Sequence, residues 1–178
     1  LDSLLEEMLA NKETFPLKDV CERVSVGHVG TTSKYYSDDG IPFIRTQNVS
    51  ASGFDDSDVK FITPEFHAKL KKSQVRSGDV LLSRVVINEM RTAIVPDDYR
   101  DANCANVILV RPSEKLSSKY IDYLIKSPKI QSYFMGKKKG AAQQVVNTTV
   151  LKNWKIPLPK IEEQKEFVAS VDKFFFQV

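Results

Sequence analysis

NVILVRPSEKLSSKYIDYLIKSPKIQSYFM, residues 106–135, changes its hydrophobic period part-way through. Val107–Val110 is a continuous apolar run rich in β-branched residues, short enough for a buried strand. After Pro112 the spacing becomes helical. Ser117 caps a helix carrying Tyr120, Ile121, Tyr123, Leu124 and Ile125. Ser127-Pro128 opens a second helix, because proline tolerates the first turn, where its missing N–H is not needed. Ile130, Tyr133 and Phe134 are expected to face inward, and Gly136 to stop the helix.

Upstream of this switch the signals are those of strands. IPFIRTQNV (41–49), VKFIT (59–63) and VLLSRVVI (80–87) are apolar runs bounded by turn residues, and RTAIVP (91–96) is expected to pair with the third. PLKDVCERVSV (16–26) reads as a turn or short helix leading into a strand. LDSLLEEMLA (1–10) has amphipathic helical spacing. Downstream, Thr148 is expected to cap a short helix through Trp154, and KIPLP is extended, since residues before proline leave the helical region. A last helix starts at Ile161. Its Val168, Val171, Phe175 and Val178 follow the spacing of an incipient heptad seam. Strands do not alternate with helices, so the fold class is α+β. The expected form is a mixed or antiparallel sheet with a helical hairpin and a C-terminal helix starting a coiled coil. Three parts are expected: an N-terminal helix (1–14), a central α+β domain (15–160) and the start of a further long helix (161–178).

The chain has 178 residues, 42% of them hydrophobic and 28% charged, enough for a core without disulfides. Cys21 and Cys104 stand far apart, and with His28 and His67 they match no familiar zinc spacing. This pattern suggests a reducing, cytoplasmic setting, and no apolar run reaches membrane-spanning length. Leu1 in place of Met carries the expectation that the natural N-terminus lies upstream.

The net charge of +3 is unevenly spread. Residues 1–66 carry 6 basic and 12 acidic side chains, whereas residues 67–178 carry 20 basic and 11 acidic. Ten lysines against the single acid Asp122 fall within 115–160. Such a stretch attracts phosphate, or else is an ordinary solvated surface. Its densest part, GKKKGAAQQVVNTT (136–149), sets Lys137, Lys138 and Lys139 between glycines, ahead of Gln143, Gln144 and Asn147. Lysines hold a polyanion without regard to its sequence, and amides either pair with base edges or brace a loop.

Catalytic patterns are sparse. GKKKG lacks the Ser/Thr of a phosphate-binding loop. Gly27-His28-Val29-Gly30 matches the GxxG of an RNA-binding KH clamp, without evident flanking helices. Glu163-Gln164-Lys165 is like the tail of a nuclease carboxylate motif, on what reads better as a solvated helix face. Asp55, Asp56 and Asp58 lack the remaining features of a calcium loop.

Five stretches taken together resemble one family: GIPFIRTQNV (40–49), SGDVLLSR (77–84), TAIVP (92–96), NVILVRP (106–112) and the QQ-x-x-N segment running on into LKNWKIPLPKIEEQKEFVASVD (151–172). Their order and spacing are similar to a target recognition domain of a type I restriction–modification specificity subunit, from Phe15 onward. The resemblance implies a module without a catalytic centre, reading one half of a bipartite DNA target. It implies methyltransferase subunits as partners, and through them the restriction subunit. S-adenosylmethionine, ATP and Mg²⁺ would be bound by those partners. It leaves open half a subunit or an excised domain, and self-pairing through the last helix. Where the family usually has a glycine-rich connection after Ser-Arg, this chain has VVINEM (85–90).

On this reading Arg45, Gln47 and Asn48 are candidate base readers, although Arg45 equally suits a strand end bonded to a carboxylate. Arg84 ends a buried strand and leans structural, whereas Asn88, Glu89 and Arg91 suit base contact. Lys34, Tyr35 and Tyr36 suit phosphate and sugar, although a core role equally suits one of the tyrosines. Lys137, Lys138 and Lys139 hold phosphate, with Gln143, Gln144 and Asn147 leaning towards bracing, since a pattern shared across different targets cannot read different bases. The rivals are a recognition domain of a single-chain methylating nuclease, a small Mg²⁺-dependent nuclease using Glu163 and Lys165, and a protein–protein adaptor.

Overall fold

Val107–Pro112 is the strand around which the molecule is built. The computed structural model describes residues 1–135 and 144–175. Along the chain the first half holds α1 (Asp2–Leu9), β1 (Thr14–Pro16), β2 (Cys21–Val26), β3 (Tyr36–Ser37), β4 (Ile41–Ile44), β5 (Val49–Ser50), β6 (Gly53–Phe54), β7 (Lys60–Ile62), α2 (Pro64–Lys69) and β8 (Gln74–Val75). The second half holds β9 (Val80–Ser83), β10 (Val85–Val86), β11 (Thr92–Ile94), β12 (Ala102–Cys104), β13 (Val107–Pro112), α3 (Ser118–Lys126), α4 (Pro128–Met135), β14 (Gln144–Val145), α5 (Thr148–Asn153), β15 (Lys155–Pro157) and α6 (Ile161–Phe175).

One sheet has the order β11-β9-β13-β2 and is antiparallel throughout. A second has the order β3-β7-β4-β12-β8, with β4 and β12 parallel. Alternation along β9 and β13 explains how the two stack. Val80, Leu82, Ile108 and Val110 point into a core shared with the helices. Leu81, Val107 and Leu109 point the other way, onto Ile44, Ala102 and Cys104 of the second sheet. Both faces of the first sheet are covered, so its strands read as unbroken apolar runs instead of alternating ones. A third cluster, Phe43, Ile62 and Phe66, seals the outer face of the second sheet under α2. The architecture is α+β with antiparallel and mixed sheets, as expected.

The helical hairpin forms where the period changes. Ser117 Oγ accepts from Tyr120 N (3.4 Å) and Ser127 Oγ from Ile130 N (3.4 Å). In α3 Tyr120, Ile121, Leu124 and Ile125 are buried against the first sheet. Several expectations need correction. Tyr133 is 59% exposed and does not face inward. The cap of α5 is Asn147, not Thr148: its Oδ1 accepts from Thr149 N (2.9 Å) and Val150 N (3.2 Å). The single strand read over 41–49 stops at Ile44, where a 3₁₀ turn, Thr46–Asn48, begins. VLLSRVVI likewise divides at Arg84 into β9 and β10, which join different partners.

α6 packs on the domain itself. Phe167 and Val171 are buried in the helical core, with Phe167 edge-on to Tyr120 at 5.5 Å. Gln164, also buried, donates to Lys115 O and Pro159 O and accepts from Ser117 N. Val168, expected on a seam, is partly buried against this core, and Phe174 is 74% exposed. Val178 and the Phe175 side chain lie outside the described residues. At the other terminus Leu5 of α1 joins the same core, and β1 pairs with β15.

Candidate nucleic-acid interface

Strand register gathers the candidate residues at one end of the stacked sheets. Val26 lies opposite Ile108 and Ser83 opposite Val107, so β2 and β9 end where β13 begins. β4 ends there too, because Ala105 N donates to Ile44 O (2.9 Å). Asn106, with φ of 56°, is the hub. Its N–H donates to His28 O (3.0 Å), and its carbonyl accepts from Thr46 Oγ1 (3.1 Å). Asparagine tolerates this left-handed conformation better than a bulky residue would. The segments 27–30, 45–48 and 84–91 therefore emerge side by side.

Between two of these segments is a groove of about 360 Å³, with Thr46 and Val49 on one wall and Ser83, Val85, Asn88 and Arg91 on the other. Its second wall is firmly held. Ser83 and Arg91 close the loop neck, through Ser83 N to Arg91 O (2.9 Å) and Arg91 N to Ser83 Oγ (2.8 Å). Met90 turns inward and is buried. Gln131 of α4 grips it by accepting from Met90 N (2.8 Å) and donating to Met90 O (2.9 Å). β10 pairs with β14, opposing Val86 to Gln144 and Val85 to Val145, and Val146 N donates to Arg84 O (2.9 Å). VVINEM thus forms a strand and an anchored turn in place of a glycine-rich connection. Ile87, Asn88 and Glu89 at its tip are exposed.

The individual candidates separate by what their polar atoms already do. Asn48 is 1% exposed. Its Oδ1 accepts from Arg45 N (2.8 Å) and its Nδ2 donates to Asp55 O (2.9 Å). Its amide shapes the turn, which corrects its assignment as a base reader. Asn147 is the α5 cap described above, in line with the bracing alternative. Arg45 takes up its carboxylate alternative: Nη2 donates to Asp58 O and Oδ2, each at 2.8 Å, and the guanidinium lies 5.8 Å from the Tyr36 ring centre. Lys60, and after it Arg45, hold the exposed Asp58 carboxyl below the usual range. With the Gln47 amide turned, its oxygen accepts from Arg45 Nη1 (2.9 Å) and Nη2 (2.8 Å). Gln47, Asn88 and Arg91 are exposed, and Arg84 and Gln144 half-buried. Tyr35 stacks on Phe66 at 3.7 Å, with Lys34 Nζ 4.9 Å from its ring centre. Lys137, Lys138, Lys139 and Gln143 lie outside the described residues.

The other motifs have structural occupations. Glu163 pairs with Lys12 and caps Lys160 N (3.0 Å), and these contacts hold its carboxyl below the usual range. Asp55 forms a local turn with Ser57 N (3.0 Å). Burial pushes the Cys21 thiol up to about 12 and the Cys104 thiol higher still, so both are inert near neutral pH. Gly27 abuts Cys104, where a Cβ would stand 2.9 Å from the Cys104 carbonyl oxygen. Among the described residues no helix is long and apolar enough to cross a membrane.

Two features were missed in the sequence. Gln131 reads as an ordinary polar helix position, and nothing local marks its three hydrogen bonds. Lys69, Lys71 and Lys72, beside the His28 segment, carry a visible signal as three lysines within four residues.

A domain of two stacked sheets that offers its loops from one end, with a helical layer behind, is the fold of a known class. The structure is similar to the crystal structure of the HsdS subunit from Thermoanaerobacter tengcongensis, with a TM-score of 0.70 at 20% identity over 98% of this chain and 42% of that one. In sequence the chain is 30% identical over 138 residues to the EcoBI specificity subunit of Escherichia coli, covering 77% of this chain and 29% of that protein. It is 28% identical over 168 residues to a putative MjaX specificity subunit of Methanocaldococcus jannaschii, covering 91% and 39%. Residues 10–177 match the family model described as the type I restriction modification DNA specificity domain, and the chain belongs to that family. It spans less than half the length of these relatives.

Proposed function

We propose that this chain is the non-catalytic target recognition domain of a type I restriction–modification specificity subunit, reading one half of a split duplex target. The observation that supports the reading is the groove at the loop end of the sheets between Thr46 and the 83–91 segment, whose strand β10 pairs with β14. Gln47, Asn88 and Arg91 present amide and guanidinium donors for major-groove base edges, with Thr46 on the wall beside them. Arg84, Gln144 and the anchored loop position them, and Lys34, set over the Tyr35 ring, offers a cation to the backbone.

Lys137, Lys138 and Lys139 lie in the segment that runs into β14, the partner of β10, and we assign them to phosphate. Gln143 braces that segment. Methyltransferase subunits dock through the terminal helices and bring S-adenosylmethionine, while ATP and Mg²⁺ act on the restriction subunit. Residues 161–178 act as a spacer or dimerisation segment, through which a second recognition domain or a second copy pairs.

Duplex binding by the subunit assembled with its methyltransferase tests the reading. The K137A/K138A/K139A variant is expected to weaken binding to cognate and scrambled duplexes alike. Its salt slope flattens by about 0.9 for each phosphate that is no longer neutralised. Binding that is independent of salt contradicts the proposal.

A further inference from the structure

A second basic groove adjoins the first on the other side of Asn106. After α2 ends at Lys69, Lys71–Ser73 forms a 3₁₀ turn, and Lys69, Lys71 and Lys72 are exposed. The backbone beneath them is pinned. Asn103 Nδ2 donates to Leu70 O (3.3 Å), Arg23 Nη1 to Lys71 O (3.5 Å) and Ser25 Oγ to Lys72 O (3.4 Å). Between this turn and Val26–His28 is a groove of about 420 Å³ with no carboxylate in its lining. Among the described residues, none of the three lysines makes an ion pair, whereas the neighbouring Arg76 and His67 face Glu22 and Asp101.

Three cations without counter-charge on a braced turn suit a polyanion, and ammonium groups on flexible stems suit one held without regard to sequence. The groove also has a fixed relation to the first. His28 O accepts from Asn106 N, and Asn106 O accepts from Thr46 Oγ1, so a single residue separates the two. On the far side His28 packs edge-on to Phe66 at 5.6 Å, and Phe66 stacks on Tyr35 beneath Lys34. A basic track therefore runs from Lys34 past His28 to Lys72, alongside the base-facing groove.

We infer that Lys69, Lys71 and Lys72, with the His28 segment, form a second phosphodiester-backbone site for the duplex whose bases face Thr46 and Asn88. The inference rests on the proposed function and adds a grip distinct from Lys137–Lys139. In the subunit assembled with its methyltransferase, K69A/K71A/K72A is compared with wild type on cognate and scrambled duplexes at about 50 to 200 mM salt. Affinity is expected to fall about ten-fold or more on both, and the slope of log K against log salt to flatten by about 2 to 3. The ratio between the duplexes and the methylated sequence stay unchanged. The K69R/K71R/K72R variant retains binding, and single alanine substitutions each remove about one unit of slope, so a folding defect in the triple variant is recognised. Wild-type affinity and slope in the alanine variants overturn this site alone. Absence of salt-dependent duplex binding by the wild-type complex overturns the proposed function and this site with it.

Discussion

Arg111 holds the buried carboxylate of Asp79 with two donors, Nε to Oδ1 at 2.8 Å and Nη2 to Oδ2 at 2.7 Å. Asp79 is 1% exposed, and its Oδ2 also accepts from Arg76 N at 2.9 Å. The pair ties the Pro112 end of β13 to the turn that launches β9, so it sets the register of the central strands. Removing the acid leaves a guanidinium without its partner. Asp79→Ala is expected to cost about 3 to 5 kcal/mol in urea unfolding. The Asp79→Ala/Arg111→Met pair should cost less than the sum of its single changes, because the double change leaves no orphaned charge.

Gln131 holds the 84–91 loop from behind. It satisfies both backbone groups of Met90 and donates to Ile125 O (2.7 Å). Gln131→Ala frees buried polar groups at a local cost of about 1 to 3 kcal/mol. Hydrogen exchange at residues 86–91 should quicken, and discrimination between cognate and scrambled duplexes should fall. The salt slope stays at its wild-type value, since no phosphate-binding cation is touched.

Gln47 and Asp58 separate reading from positioning. Gln47→Ala is expected to relax the methylated sequence at one position, losing about 1 to 3 kcal/mol of discrimination there. Asp58→Ala releases Arg45, whose Nη2 it binds at 2.8 Å, and blurs the same position by a smaller factor. Mapping methylated sites for both variants checks this. Opposite effects at different positions would contradict the pairing.

Asp172 links α6 to α3. The Tyr123 hydroxyl, and then Lys119, hold its carboxyl below the usual range. A depressed folded-state value stabilises the fold above the unfolded value of about 3.9, and that contribution is lost as pH falls through the lower folded value. Asp172→Asn is therefore less stable than wild type at neutral pH, and the two converge in acid. Thermal unfolding across this range checks the convergence.

Fold class was legible because both faces of β9 and β13 are buried, which leaves unbroken apolar runs that no solvated element would carry. The capping serines 117 and 127 mark the hairpin by local chemistry alone. The errors fall where tertiary partners override pattern. β4 breaks at Arg45 because Asn48 and Asp58 draw the chain into a turn, and Asp58 lies 13 residues away, outside the window of alternating residues. Asn48 has the look of a reader and is a brace, since a polar residue after a strand carries the same signature in both roles. The Gln131 clamp spans 41 residues and leaves no local trace.

The central claim is that this chain chooses which duplex sequence its partners modify. The most direct measurement replaces the corresponding recognition domain of a related specificity subunit with residues 15–160 and maps methylated bases across the host genome. The account predicts that one half of the methylated bipartite sequence changes while the other half stays. An unchanged set of methylated sites, in cells where the hybrid subunit assembles, would contradict it.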